Sequence, residues 1–229
     1  MTAKVVLFDM DGTLIDSIGD IHAALNDMLT VHGFDNISLA ESACFVGKGA
    51  RVLIEKSLRH MGFANVPGEV IEDMYVHYVE MLERNGPRHT TLFPTVFESL
   101  VRLREAGLTL GVATNKARRP TLSVLEKWKV AGLFSVVLTS EEVPAPKPAP
   151  DLLLEAARRL GVAPASCTMV GDSMNDALAA LAAGCEPLLV KTGYNEGVPV
   201  ETWATEQPTR PRVFDKMADV ADYILGKKP

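Results

Sequence analysis

The sequence predicts an α/β fold: a Rossmann-like parallel sheet core with helices on both faces, plus an inserted all-helical cap domain. Three observations carry that expectation. Val5-Val6-Leu7-Phe8 is an unbroken apolar run of strand length, the pattern of a strand buried on both faces. From Thr91 onward, short apolar runs alternate with helical segments, which is the rhythm of a parallel sheet built from strand–helix units. Between them, residues 16–85 carry helical spacing throughout and no strand, so a helical block interrupts the sheet-forming unit. The expected division is a core of residues 1–15 and 86–229 and a helical insert of residues 16–85.

The elements follow in order. Met1-Thr2-Ala3-Lys4 leads into the first strand, and Asp16 or Ser17 can cap a helix running to about Val31, with Ile18, Ile21, Leu25, Met28 and Leu29 on one face and Gly33 ending it. Ser38 and Glu41 have capping-box spacing and open a second helix. Val46-Gly47-Lys48-Gly49-Ala50-Arg51 is a loop feeding a third, from about Ala50 to Met61. A fourth follows Pro67-Gly68, with Val70, Ile71, Met74, Tyr78 and Leu82 at helical spacing. Leu92-Phe93-Pro94-Thr95 then enters a helix ending at Gly107, and Leu108–Ala113 is a strand. Pro120 suits the first turn of the next helix, which runs to about Val130. Val136–Leu138, Thr168–Val170 and Pro187–Val190 read as strands, separated by helices ending near Gly161 and Gly184. Val198–Arg212, with Pro199, Pro208 and Pro211, reads as an irregular surface segment, and Val213–Leu225 adds a short strand or helix.

A chain of 229 residues suits one large domain, or a domain with a smaller insert. With 47% hydrophobic and 23% charged residues it has globular composition, and a net charge of −6 argues against a non-specific nucleic-acid binder. No stretch approaches a membrane span or a secretory leader, so a cytoplasmic protein with no membrane partner is expected. Cys44, Cys167 and Cys185 have no metal-ligand spacing and read as buried reduced thiols. His22, His32, His60, His77 and His89 show no ligand spacing with a carboxylate and are assigned to surface or packing roles. Oligomeric state is not encoded in any pattern here.

Chemistry is expected beyond the carboxyl ends of the strands, where open α/β sheets bind ligands. Asp9 and Asp11 follow the first strand directly. Two apart in extended chain, they project to the same side, and carboxylates about 4 Å apart repel by ~4 kcal/mol at an effective dielectric near 20. A hard cation such as Mg2+ relieves that repulsion; a plain Asp-x-Asp-Gly turn is the competing reading. Thr114-Asn115, Lys147 and Gly171-Asp172 through Asp176 fall at later strand ends or loops, where each alone has a capping, turn or solvated-charge explanation.

Taken together, FDMDGTLIDS, VATNK, KPAPD and GDSMND resemble the four successive motifs of the haloacid dehalogenase superfamily of phosphohydrolases, across nearly the whole chain. A helical block between the first and second motifs is similar to one subgroup's cap. VGKGA and KTGYNEG add a resemblance to the phosphoglycolate phosphatases. The resemblance implies a Mg2+-dependent phosphatase of a small phosphate ester, 2-phosphoglycolate before others, working through an aspartyl phosphate. It implies Asp9 as nucleophile, Asp11 as acid and base, Thr114, Asn115 and Lys147 as phosphoryl holders, and Asp9, the Asp11 carbonyl, Asp172 and Asp176 around the metal. Asp11 separates the chain from the dehalogenases and phosphonate hydrolases, which lack it. A phosphatase of another phosphosugar or nucleotide, a phosphosugar mutase and a non-catalytic phosphate sensor are the alternatives; the mutase requires a bisphosphate-binding cap, and the sensor leaves Asp11 without purpose. Two departures stand beside the motifs: Thr95 where many relatives have Gly, and Glu196 where an aromatic residue is frequent.

Discrimination among esters must come from the insert. Gly47, Lys48, Gly49 and Arg51 are its one loop with glycines and cations together, and they are expected to read the substrate carboxylate through side-chain charge and the positive end of the following helix.

Overall fold

The computed structural model describes residues 5–227; the expected lead-in Met1–Lys4 lies outside them. In chain order the strands are β1 (Val5–Phe8), β2 (Ile15–Asp16), β3 (Thr91–Leu92), β4 (Thr109–Thr114), β5 (Val136–Thr139), β6 (Cys167–Gly171), β7 (Glu186–Val190) and β8 (Arg212–Phe214). The helices are α1 (Ile18–Val31), α2 (Leu39–Phe45), α3 (Ala50–His60), α4 (Gly68–Asn85), α5 (Val96–Glu105), α6 (Arg118–Lys127), α7 (Asp151–Leu160), α8 (Met174–Ala183), α9 (Val200–Glu206) and α10 (Met217–Ile224).

Six strands form one parallel sheet in the order β5-β4-β1-β6-β7-β8. The alternation of side chains along β1 divides the core. Val6 and Phe8 pack with α5, α6 and α10, whereas Val5 and Leu7 pack with α7 and α8 on the other face. That is why the run is apolar without alternating: both faces are covered. Successive connections leave β1 toward β4 on one side and β6 on the other. The end of β1 is therefore the crevice where the strand order switches direction.

Helices α1 to α4 have a core of their own, in which Leu25, Met28, Leu58 and Met74 are fully buried. Ser38 closes the expected capping box with Glu41. Ser17 precedes α1 but does not cap it; its hydroxyl turns to Asp11 instead. Where the chain enters and leaves this helical unit, β2 and β3 pair antiparallel, so the segment expected to run directly into a helix at Leu92 first makes a ribbon. Beside it the buried Asp20 carboxylate accepts the backbone N–H groups of His89 and Thr90 and the Thr90 hydroxyl, tying α1 to the returning strand.

Other expectations change. The segment 198–212 is not irregular throughout: Val200–Glu206 is helical, because Val200 and Ala204 seat against Ala177 and Leu189. Both options for the C-terminal stretch are realised, as β8 and α10. Cys44 is exposed, with its Sγ beside Gly197 of the loop after β7; Cys167 and Cys185 are buried and reduced. His32 and His77 are brought within hydrogen-bonding distance, 2.8 Å, by the packing of α1 on α4, a pairing no sequence spacing reveals. Thr95 occupies a left-handed backbone position (φ 68°), uncommon for a β-branched residue, and its hydroxyl accepts the Ala218 N–H. Among the described residues no helix is long and apolar enough to cross a membrane.

Asp20→Ala would leave those donors unpaired in a site where Thr90 is 2% exposed. It should lower unfolding free energy by roughly 2–4 kcal/mol. Urea unfolding would measure this, and a loss under 0.5 kcal/mol would remove Asp20 as the tie.

Candidate active site

Register places the expected site residues together. Phe8 pairs with Val112 and Val170, so Asp9, the end of β4 at Thr114 and Asp172 after β6 meet at one edge. Asp9 N donates to Val170 O, which fixes the turn off the strand. The chain then folds back on itself: the N–H groups of Thr13, Leu14 and Ile15 all donate to Met10 O, with Gly12 at φ 88°.

This turn separates the two leading carboxylates, which the extended-chain expectation had put side by side. Asp11 accepts from Ser17 Oγ (2.6 Å) and forms an ion pair with Lys116 Nζ (2.9 Å). Asp9 faces a different group. Ligand atoms of Asp9, Asp172 and Asp176 all lie within 4.8 Å of one another, and the Asp11 carboxylate is not part of that cluster. Lys147, 1% exposed, lies against two of its members, 3.0 Å from Asp9 Oδ1 and 2.7 Å from Asp176 Oδ1, while donating to Ala113 O.

The other oxygens are largely accounted for. Asp176 Oδ2 accepts from Ser173 N and Oγ in the capping box of α8, so both Asp176 oxygens already accept hydrogen bonds. Asp172 accepts from Thr13 Oγ1 and Tyr194 N. Gly12 and Gly193 both press on that carboxylate so closely that a Cβ at either would collide with it. Asp9 Oδ1 is buried and accepts no hydrogen bond of good geometry.

These surroundings set the charge balance. Burial pushes the Asp9 carboxyl up to about 6, with Lys147 pulling the other way and Asp176 adding repulsion. Burial also raises Asp172 well above the carboxylate range, reinforced by the charges of Asp176 and Asp9. Burial disfavours the Lys147 ammonium, but Asp176 and Asp9 more than offset it and the group is shifted upward. One lysine therefore does not neutralise the cluster. The Asp9 carboxylate beside Asp172, in an all-oxygen donor set whose negative charge Lys147 only partly offsets, fits a hard divalent cation such as Mg2+.

The cleft above is lined on the core side by Asp9, Asp11, Thr114, Asn115, Lys116, Asp172 and Tyr194. The insert contributes Ile21, Val46, Gly47, Gly49, Ala50, Leu53, Tyr78 and Leu82. Lys48 and Arg51, expected to read substrate, do not line it. Arg51 is bidentate to Glu72 and lies over the Tyr75 ring, 3.7 Å from its centroid, and Lys48 pairs with Glu196 at 3.3 Å. Neighbouring carboxylates thus take both cations. The Asn115 amide, expected on the phosphoryl group, is also committed: it donates to Gly47 O and Lys147 O and accepts from Lys147 N. It joins the two loops that frame the cleft. Thr114 is buried at the cleft with Oγ1 accepting from Lys116 N.

Sequence reasoning passed over Lys116 and Tyr194. Lys116 follows Asn115 directly, and its charge among neutral neighbours was the available signal. Tyr194 stood in the KTGYNEG string without a sign of its partners: its hydroxyl donates to Asp16 and accepts from the N–H groups of Ser17 and Ile18, contacts spanning nearly the whole chain.

The profile of haloacid dehalogenase-like hydrolases matches residues 6–190, which contain every lining residue of this cleft but Tyr194. The chain belongs to that family. It is 33% identical over 234 residues to the phosphoglycolate phosphatase of Psychrobacter arcticus, covering 100% of this chain and 99% of that protein. It is 36% identical over 198 residues to the phosphoglycolate phosphatase of Nitrosospira multiformis, covering 85% and 86%. A solved structure, described as a predicted phosphoglycolate phosphatase from Haemophilus somnus, superposes with a TM-score of 0.87 at 27% identity, covering 97% of this chain and 98% of that one. The hydrolase is thus similar from end to end to chains bearing that name.

A pH prediction follows from the acidic cluster. Carboxyls raised in the folded state contribute stability below their unfolded pKa, and that stability is lost as pH rises through the folded value, here about 6 for Asp9. A cation that binds the ionised cluster should therefore raise the melting temperature more at pH 7.5 than at pH 5. Thermal unfolding of EDTA-treated protein with and without Mg2+ tests this, and an equal or larger shift at pH 5 contradicts it.

Proposed function

We propose that this hydrolase is a Mg2+-dependent phosphatase of a small phosphorylated acid, 2-phosphoglycolate in the first instance, working through an aspartyl phosphate on Asp9. The observation that carries the reading is the separation of surroundings around Asp9 and Asp11. Asp9 sits in the acidic cluster at the end of β1 with Lys147 beside it, and Asp11 is held apart by Ser17 and Lys116. Similarity along the full chain to proteins named phosphoglycolate phosphatase supports the substrate.

In this mechanism Asp9 attacks phosphorus and the bond to the ester oxygen breaks, splitting a very slow hydrolysis into two displacements. Asp11 gives its proton to the departing oxygen and takes one from the water that later attacks the acyl phosphate. Lys116 and Ser17 orient Asp11 between those steps. Lys147, its ammonium taken up by Asp9, Asp176 and Ala113 O, favours the ionised form of Asp9, while the Thr114 hydroxyl and nearby backbone N–H groups hold phosphoryl oxygens. Mg2+, held by Asp9, the Asp11 backbone carbonyl and Asp172 with Asp176 behind them, would neutralise phosphoryl charge. Asp176 orients Lys147 and the first turn of α8.

The helical block α1–α4 acts as the cap that excludes water and selects the leaving group. With Lys48 and Arg51 committed elsewhere, the substrate carboxylate is read by the backbone N–H groups opening α3 at Gly49 and Ala50, which line the cleft. The same reading expects a cytoplasmic protein with no nucleic acid or membrane as partner, in keeping with its net charge of −6.

Phosphate release across phosphorylated acids, sugars and nucleotides tests the assignment. 2-Phosphoglycolate should give the highest kcat/KM, and a preference for a sugar phosphate would overturn the substrate. Asp9→Asn should abolish turnover, and Asp11→Asn should lower kcat roughly 10²–10⁴-fold; near-wild-type rates in either variant would remove its role. Chelation by EDTA should stop turnover and Mg2+ restore it. Arg51→Ala should leave the ratio of kcat/KM for 2-phosphoglycolate and p-nitrophenyl phosphate within about twofold, because an exposed ion pair contributes little; a selective loss on 2-phosphoglycolate would return Arg51 to the site.

A further inference from the structure

The loop between β7 and α9 wraps under the acidic cluster and then rises against the helical insert. It is anchored firmly. Tyr194 N donates to Asp172, Asn195 Oδ1 accepts the Met174 N–H at 2.7 Å, and Asn195 Nδ2 donates to Val198 O. Asn195 and Glu196 are both left-handed (φ 35° and 53°), a costly backbone for residues other than glycine that persists where surrounding contacts determine it. The result is that Glu196 projects from the core onto the insert.

There it meets two cations. Glu196 Oε1 lies 3.3 Å from Lys48 Nζ and accepts from Asn175 Nδ2 at 3.2 Å; Oε2 accepts from Lys56 Nζ on α3. The side chain is 12% exposed. Burial opposes its ionisation, but the hydrogen bonds from Lys56 and Asn175 and the charges of both lysines hold its carboxyl below the usual range. The loop these contacts grip is the one that roofs the cleft. A Cβ on Gly47 would come 3.2 Å from Asn175 Nδ2 and 3.4 Å from Glu196 Cγ, so the backbone of the loop lies close against both side chains. On the other side Asn115 Nδ2 donates to Gly47 O. The loop is held between two arms of the core, one neutral and one charged.

We infer that Glu196 is a positioning residue for substrate selection: through Lys48 and Lys56 it clasps the Gly47–Ala50 loop over Asp9, setting where the N-terminus of α3 meets the leaving group. The inference rests on the reading of this cleft as a phosphatase site. Lys48 thus acts through Glu196 and not on substrate. The clasp is electrostatic and only partly buried, so added salt loosens it.

The test uses Glu196→Gln, which keeps shape and removes charge, and Lys56→Gln, which removes the partner from the insert side. Each should raise KM for 2-phosphoglycolate roughly tenfold, the scale of one charge-assisted hydrogen bond, with a smaller change in kcat. The double variant should be no worse than either alone. KM of the wild type should rise between 50 and 500 mM KCl more steeply than that of Glu196→Gln. Backbone amide exchange over residues 46–53, followed by mass spectrometry without substrate, should quicken in both variants. Unchanged exchange overturns the clasp, whatever the kinetics. Quickened exchange with unchanged KM overturns the positioning role. Should the wild type hydrolyse another ester and not 2-phosphoglycolate, the substrate assignment fails, and the same comparisons on the ester it does hydrolyse, with the exchange measurement, still decide the role of Glu196.

Discussion

The Lys147 ammonium lies in the interior of the core, 1% exposed, between Asp9 and Asp176 and beneath the Ala113 carbonyl. Taking an ammonium and two carboxylates out of water costs several kcal/mol per ion, and mutual attraction offsets this only when hydrogen bonds satisfy the remaining donors and acceptors. Here they nearly do. Asp176 is completed by Ser173, and the backbone on either side of Lys147 is held by Asn115. The exception is Asp9 Oδ1, which has the charge of Lys147 nearby but no well-aligned donor. The network is thus complete everywhere except at that buried oxygen, which has only the charge of Lys147 beside it. An arrangement serving stability alone would gain from closing that gap.

The same arrangement explains how much of the site was legible in the chain. Asp9, Thr114, Lys147 and Asp172 could be placed together because strand ends in a parallel sheet share an edge, and the strands were readable as apolar runs. Asp11 was readable as a carboxylate but not in its orientation, since the Met10–Ile15 turn that parts it from Asp9 depends on carbonyl bonding no pattern displays. Asn115 was legible as polar and near the site, yet its amide joins Gly47 and Lys147, partners 68 and 32 residues away. Helix α9 was illegible because its apolar face is short and surrounded by prolines; Val200 and Ala204 become a face only against Ala177 and Leu189. Tertiary contact overrode local composition there.

The insert shows the limit of reading function from charge. A loop with two glycines and two cations looks like an anion site in one dimension. In three, the cations point away from the cleft and the glycines face it. Arg51 meets Glu72, Lys48 meets Glu196, and what lines the cavity from above is apolar apart from Tyr78 and bare backbone. Most side-chain charges in a folded protein find water or an opposite charge, so a cation near a site is a weaker sign than a backbone N–H that has neither. The opening of α3 supplies such groups, with no side-chain cap to take them.

Glu196 then bears on why the core loop after β7 is shaped as it is. Tyr194, two residues earlier, uses its N–H on Asp172 and its hydroxyl on Asp16 and the start of α1. A single short loop therefore contacts the acidic cluster, the entry to the insert and the roof of the cleft. A shift that moved Tyr194 away from Asp172 would also move Glu196 relative to Lys48 and Lys56, because Asn195 between them is fixed to the first residue of α8. Such coupling requires a rigid connection, and two consecutive left-handed residues with their polar groups satisfied provide one. The acidic cluster and the loop that roofs the cleft are thus joined by one covalent path that lies mostly beyond the four motifs.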